Sequence, residues 1–290
     1  MKLGMMFASM TYTTADACRE AATVAEEVGL ESVWSVEHVL TPRTLRSPYP
    51  YTADGRLDDL HRAVLCDPVV WLAFMAGVST RLRLGTGIMI LPQRHPAYVA
   101  KEWATLHRLS DGRAMLGVGI GWLAEEMEAV GVPFAERAPR TDEMIRAIRS
   151  LWENEFSTFD GRWYRWEEMN CNPRPAHGRD IPIVVGGHAP AAARRAARLG
   201  DGFFLPGQLS RRIGSDLDDL SKLLDAMRNE CRTIGRDPSE IEVTVGADRP
   251  DRELLDRLTE IGVHRVVVPA PRVEALRRRL EPLAEFTGAH

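Results

Sequence analysis

Residues Leu82–Val118, LRLGTGIMILPQRHPAYVAKEWATLHRLSDGRAMLGV, hold the pattern on which the fold turns. Leu82–Leu91 is a long apolar run closed by Pro92 and reads as a strand. Pro96–Leu109 has helical spacing, with Pro96 at the first helical position, where a missing N–H costs nothing. Ala114–Val118 is apolar again and reads as the next strand. A strand, a helix and a further strand imply parallel pairing through a right-handed crossover.

The same alternation extends both ways. Upstream lie a strand at Leu3–Phe7, an amphipathic helix at Ala15–Val28 stopped by Gly29, a strand at Ser32–Val36 and a helix at Pro68–Val78. Downstream come strands at Ile181–Val185, Gly202–Leu205, Ile241–Val245 and Arg265–Val268. Helices follow them at Pro190–Leu199, stopped by Gly200, then Asp216–Ile234, Glu253–Ile261 and Val273–Phe286. Eight strands, nearly all followed by helices, predict an α/β fold of the (β/α)8 TIM-barrel type. A doubly wound open sheet is the rival, and the length of 290 residues favours the barrel with insertions.

Two insertions are expected, after strands two and four. Leu40–Asp67 is rich in Pro, Tyr, Arg and Asp. Glu128–Arg179 contains a helix near Arg140–Trp152 and a hairpin at Phe156–Trp166 turning at Asp160–Gly161. Loops after barrel strands form the active-site face, so both insertions are expected to cover the site. With no linker, low-complexity run or short repeat, residues 1–290 read as a single barrel domain.

Composition narrows the function. Hydrophobic residues make up 44% and charged residues 27%, the balance of a soluble globular chain. A net charge of -4 gives no basic footprint for nucleic acid. No apolar run is long enough to span a membrane, and Met1–Phe7 lacks the features of a signal peptide, so a cytoplasmic location is expected. The cysteines at 18, 66, 171 and 231 form no C-x-x-C pair and read as free thiols, and the histidines show no metal spacing. Of 37 basic residues only Lys2, Lys101 and Lys222 are lysine, a bias that fits GC-rich coding.

Four places carry candidate chemistry. Strand two ends Val33–Trp34–Ser35–Val36–Glu37–His38, which puts Glu37 and His38 where barrel enzymes place catalytic groups. Histidine can pass a proton near neutral pH; a structural histidine is the equal alternative. Strand three carries Gly85–Thr86–Gly87–Ile88, glycines that mark a bulge, the approach of a ligand, or tight packing at the barrel wall. Strand four repeats the theme in Gly117–Val118–Gly119–Ile120–Gly121–Trp122. Strand five runs into Gly186–Gly187–His188 and a helix at Pro190, a turn able to hold a phosphate on amides at a helix start. Neither G-x-G-x-x-G, H-E-x-x-H nor a nucleophile elbow occurs.

In this order the motifs resemble the bacterial luciferase-like monooxygenase superfamily, and most closely its branch of probable coenzyme F420-dependent oxidoreductases. The resemblance is carried by Trp34-x-x-Glu37–His38, Leu84–Gly87, Leu91–Pro92–Gln93–Arg94–His95–Pro96 and Leu116–Trp122. Gly131–Val132–Pro133–Phe134-x-Glu136–Arg137, Arg140–Glu143, Leu151–Trp152 and Val185–Gly187 through Gly200–Gly202 complete it.

The resemblance implies a flavin or 5-deazaflavin at the C-terminal face of the barrel. Its tricycle would lie against strands two to four, at Gly85, Thr86, Gly87, Ile88, Gly119, Ile120, Gly121 and Trp122. Its phosphate would lie at Gly186, Gly187 and His188. A non-prolyl cis peptide is implied near Gly87–Ile88. His38 matches a histidine that deazaflavin-dependent relatives use at the reacting centre, with Glu37 expected to orient it. Some sugar-phosphate dehydrogenases of the family carry an acid where this chain has Trp122, so that proton donor is not carried over and a sugar phosphate is disfavoured. The implied function is hydride transfer between coenzyme F420 and a small organic substrate. The alternatives are an FMN-dependent monooxygenase with O2 and a separate flavin reductase, and a barrel that holds a flavin without catalysis. Family members are often dimers, so a homodimer is expected.

Overall fold

The computed structural model describes residues 1–50, 52, 54–175, 180–209 and 213–287, without the side chains of 206–209 and 213–216. Nine parallel strand segments form one sheet: β1 Lys2–Met6, β2 Ser32–Ser35, β3 Arg83–Thr86, β4 Met89–Ile90, β5 Ala114–Gly119, β8 Ile183–Gly186, β9 Gly202–Leu209, β10 Glu242–Ala247 and β11 Arg265–Pro269. β1 pairs with both β2 and β11, and β5 pairs with β3, β4 and β8, so the sheet closes. β3 and β4 are the two halves of the third barrel strand, which leaves the predicted (β/α)8 barrel. Helices α2 (Ala15–Glu27), α3 (Pro68–Val78), α4 (Pro96–Leu109), α6 (Arg137–Glu153), α7 (Pro190–Leu199), α8 (Ile213–Thr233) and α9 (Arg252–Glu260) form the outer layer. Two short helices, α1 (Ala8–Thr11) and α5 (Ala124–Ala129), lie at the ends of β1 and β5. The hairpin of the second insertion is β6 Ser157–Asp160 and β7 Arg165–Met169, antiparallel.

Two elements differ from expectation. The strand read as continuous over Leu82–Leu91 breaks at residues 87–88, where the Gly87–Ile88 peptide is cis, as the family resemblance implied. The closing helix read over Val273–Phe286 breaks into α10 (Leu276–Leu280) and α11 (Ala284–Thr287) around Pro282, whose missing N–H interrupts the ladder.

The barrel interior explains the glycine-rich strands. Trp34 and Phe204 are fully buried and stacked, with ring centroids 5.3 Å apart. They fill the middle of the barrel with Met6, Met115, Val184 and Val267. A Cβ on Gly85 would lie 2.8 Å from Trp34, and one on Gly87 would lie 2.8 Å from Phe204. Small residues on facing strands therefore make room for two large rings. At the N-terminal end the buried Arg265 guanidinium takes Glu31 through two bonds of 2.7 Å, and also Glu242 and Thr244. Its charge is compensated twice, which a buried cation requires.

Candidate active site

The chain leaves β2 at Ser35 on the C-terminal face and runs through Glu37 and His38 into the first insertion. Glu37 is buried, and its partners correct the role expected for it. Its Oε2 accepts the Ile90 amide at 2.6 Å, and its Oε1 accepts two bonds from Arg94, at 3.0 and 2.5 Å. Arg94 also donates to Asp67 at 3.0 Å. Burial, the largest influence, pushes the Glu37 carboxyl above its ordinary value, while Arg94 and the Ile90 amide pull in the other direction. Glu37 thus locks the end of β2 to the end of the third barrel strand and does not orient His38.

That task falls to Glu126 of α5. His38 Nδ1 lies 2.7 Å from Glu126 Oε2. The other oxygen, Oε1, accepts the amides of Val39 at 2.5 Å and Leu40 at 3.2 Å. The Glu126 side chain is 0% exposed and that of His38 13% exposed, so a buried anion holds a partly accessible ring. Trp122 packs edge-on against His38, with centroids 5.7 Å apart, and Tyr49 packs on Trp122 at 5.2 Å. The neighbouring Glu125 completes the tie to the first insertion. It accepts the Ser47 hydroxyl and the amides of Arg46 and Ser47 at 2.5–3.1 Å, and Ser47 Oγ accepts the Ala124 amide that opens α5. Against the burial that would raise it, these donors, the Ser47 hydroxyl foremost, draw the Glu125 carboxyl down to about 2.

The strand-three and strand-four glycines leave their space to the chain itself. A Cβ on Gly119 would lie 2.5 Å from Ile88 Cδ1, and one on Gly186 2.4 Å from Ile88 Cγ2. Ile88 therefore lies across the inner face at the barrel mouth, partly exposed, above the Trp34–Phe204 stack. Gly85 and Gly87 are covered by those rings and offer a ligand no surface. Thr86 is also turned inward: its hydroxyl donates to the Gly117 carbonyl at 2.6 Å and accepts the Gly117 amide at 3.0 Å. It bridges β3 and β5 where the backbone ladder between them lapses. Gly121, with φ +78°, adopts the left-handed conformation that favours glycine, and its carbonyl accepts from Arg137. Ile120 and Trp122 flank it, both partly exposed.

The expected phosphate corner is built, with fewer donors than its glycines suggest. Gly187, at φ +147°, spends its amide on the Phe204 carbonyl at 3.0 Å. Pro190 has no N–H, and Ala192 and Ala193 both donate to the Ala189 carbonyl. The Ala191 amide is the first-turn donor left without an acceptor among the described residues. His188 stands beside it. It retains exposed surface, yet the protein around its ring is enough for desolvation to push its pKa down to about 4.

The sequence model of the luciferase-like monooxygenase family matches residues 3–248, which takes in β1 through β10 and every site residue above. The chain belongs to this family. An uncharacterized protein of Mycobacterium tuberculosis is 34% identical over 273 residues, 91% of each chain. An F420-dependent glucose-6-phosphate dehydrogenase of Kineococcus radiotolerans is 34% identical over 229 residues, 77% of this chain and 60% of that one. Among solved structures, an F420-dependent secondary alcohol dehydrogenase bound to an F420–acetone adduct superposes with a TM-score of 0.76 at 19% identity, over 99% of this chain and 98% of that one. A monooxygenase of Streptomyces bottropensis does so at 0.75 and 22%, over 98% of each. At these identities the two structures show the shared barrel fold.

Within this family fold, the sequence reading missed Glu125, Glu126 and Arg94. Arg94 lies within a quoted motif but was given no role; for Glu125 and Glu126 the available signal was a pair of carboxylates opening a helix directly after a strand. Among the described residues no three His, Cys, Asp or Glu side chains are placed to hold a metal, and no helix is long and apolar enough to cross a membrane.

Proposed function

We propose that this chain is an F420-dependent oxidoreductase that moves a hydride between the deazaflavin and a small organic substrate. The observation that carries the reading is the His38 imidazole, held by a buried carboxylate on the C-terminal face of the barrel and backed by Trp122. A relative named as an F420-dependent dehydrogenase, 34% identical, supports the choice of cofactor. The residues present fit such a group. Ile88 offers an apolar surface that rests on two bare α-carbons, and the Gly187–Ala191 turn brings His188 beside the Ala191 amide, which has no acceptor among the described residues.

When bound, the deazaflavin supplies the hydride chemistry. The protein supplies position and proton handling. Ile88 would support one face of the ring, with Ile120 and Trp122 at its border. His38 would receive or deliver the proton that accompanies hydride transfer at the substrate oxygen. Tyr49 and Trp122, both in the wall beside His38, exclude water from it. The first insertion, pinned by Glu125 and Glu126, carries Val39 and Leu40 to the rim. By the family resemblance Trp122 stands where some sugar-phosphate dehydrogenases carry an acid, which disfavours a sugar phosphate as the substrate.

The test is His38→Ala with reduced and oxidised F420 and a panel of carbonyl and alcohol substrates. The reading expects cofactor binding to survive and turnover to fall by 10²-fold or more, the order of general acid–base catalysis. Unchanged turnover would remove His38 from the mechanism.

A further inference from the structure

We infer that Glu126 is the positioning residue that fixes which nitrogen of His38 carries the proton, and that the same carboxylate couples this choice to the seating of the first insertion. The inference gives the proposed role of His38 its direction, and it is tested in the unloaded protein.

Glu126 Oε1 accepts two backbone amides, Val39 at 2.5 Å and Leu40 at 3.2 Å, which have no choice but to donate. The remaining oxygen, Oε2, lies 2.7 Å from His38 Nδ1. The Glu126 side chain has no exposed surface, so water cannot substitute for a missing partner. A buried carboxylate with two fixed donors is an acceptor toward its third neighbour. Nδ1 therefore carries the hydrogen. In the neutral ring Nε2 is then the lone-pair nitrogen, on the side of the imidazole away from α5. Neutral His38 can only accept a proton through Nε2, and it can donate from that atom only as the imidazolium. The two amides belong to the residues directly after His38, so a shift of the insertion would carry away the anion's other partners.

Glu126→Gln separates charge from shape. A glutamine has one carbonyl oxygen and one NH2 group. Facing Val39 and Leu40 with its NH2 would set donors against two amides; facing His38 with it opposes one ring nitrogen. The side chain therefore keeps its oxygen on the insertion and turns the NH2 toward His38 Nδ1. Nδ1 then becomes the acceptor and the hydrogen moves to Nε2. Glu126→Ala removes both functions.

The experiment is two-bond 1H–15N spectroscopy of 15N-histidine-labelled protein without cofactor, at a pH where the ring is neutral, with His38→Ala to assign the signals. In the wild type, His38 Nδ1 should resonate as a pyrrole-type nitrogen and Nε2 as a pyridine-type one, and in Glu126→Gln the two should exchange places. Amide exchange at Val39 and Leu40 should stay slow in Glu126→Gln and become fast in Glu126→Ala. A wild-type ring protonated at Nε2 would overturn the inference whether or not either variant folds, and so would an unchanged tautomer in folded Glu126→Gln. Failure of F420 to bind would overturn the proposed function and leave these spectra unaffected.

Discussion

Gly186→Ala tests the packing beneath the proposed ring site. The new methyl would lie 2.4 Å from Ile88 Cγ2, where 3.4–4 Å is ordinary contact, so Ile88 must retreat by about 1 Å. Gly119 blocks one escape, because its α-carbon already faces Ile88 Cδ1, and the Trp34–Phe204 stack fills the barrel beneath. The path left is outward, into the mouth. Overpacking of this kind costs about 1–3 kcal/mol. For a chain of this size that is a fall in Tm of roughly 2–4 °C per kcal/mol. In Ile88→Ala the atom that clashes is gone, so the double variant should recover much of the loss, with a coupling of about 0.5–3 kcal/mol. Urea unfolding midpoints at constant m-value would measure all four proteins. The same displaced side chain should weaken F420 binding in Gly186→Ala. Gly186→Ala as stable as the wild type, with additive effects in the double variant, would refute the packing argument.

Three other outcomes follow from the ion pairs and the shifted groups. Glu37→Gln leaves the Arg94 charge to Asp67 and Glu102; thermal unfolding should show a loss toward the low end of about 3–5 kcal/mol, with the His38 tautomer unchanged. Glu125 titrates near 2 in the folded chain against an ordinary 4.5, so its hold on the first insertion is complete above pH 4.5 and is lost as pH falls toward 2. Amide exchange at Arg46 and Ser47 should accelerate over that window and stay slow above it. His188 is held near 4 against an ordinary 6.5, so the stability that goes with its neutral form is present above pH 6.5 and is lost as pH falls to about 4. An NMR titration should find that low midpoint and should find it raised by inorganic phosphate, whose anion favours the charged ring; a midpoint of 6.5 without phosphate would contradict the shift.

Much of the scaffold was legible because it rests on local rules. Helices α3, α4 and α7 begin at Pro68, Pro96 and Pro190 as read, since a proline at the first helical position leaves a signature in the chain. The break in the third barrel strand was legible only through the family resemblance, because a cis Gly87–Ile88 peptide has no pattern in periodicity. The glycines were legible as unusual, but their purpose was not. What occupies the space beside Gly85 is Trp34, on the neighbouring strand, and beside Gly119 it is Ile88, in the break between β3 and β4. Likewise Glu37 precedes His38 in sequence, yet its side chain meets Arg94, while Glu126, 88 residues away, holds the imidazole. Glu37 and His38 lie past the end of β2, where no regular pattern fixes side-chain direction, so the neighbour in sequence is a poor guide to the partner in space.

The central claim, that this barrel takes a deazaflavin, is tested most directly by titrating the purified apoprotein with F420 and, separately, with FMN, following the fluorescence of each. Saturable binding of F420 with clear preference over FMN is expected. Preference for FMN would contradict it in favour of a monooxygenase served by a separate reductase, and binding of neither would remove the cofactor site from the barrel mouth.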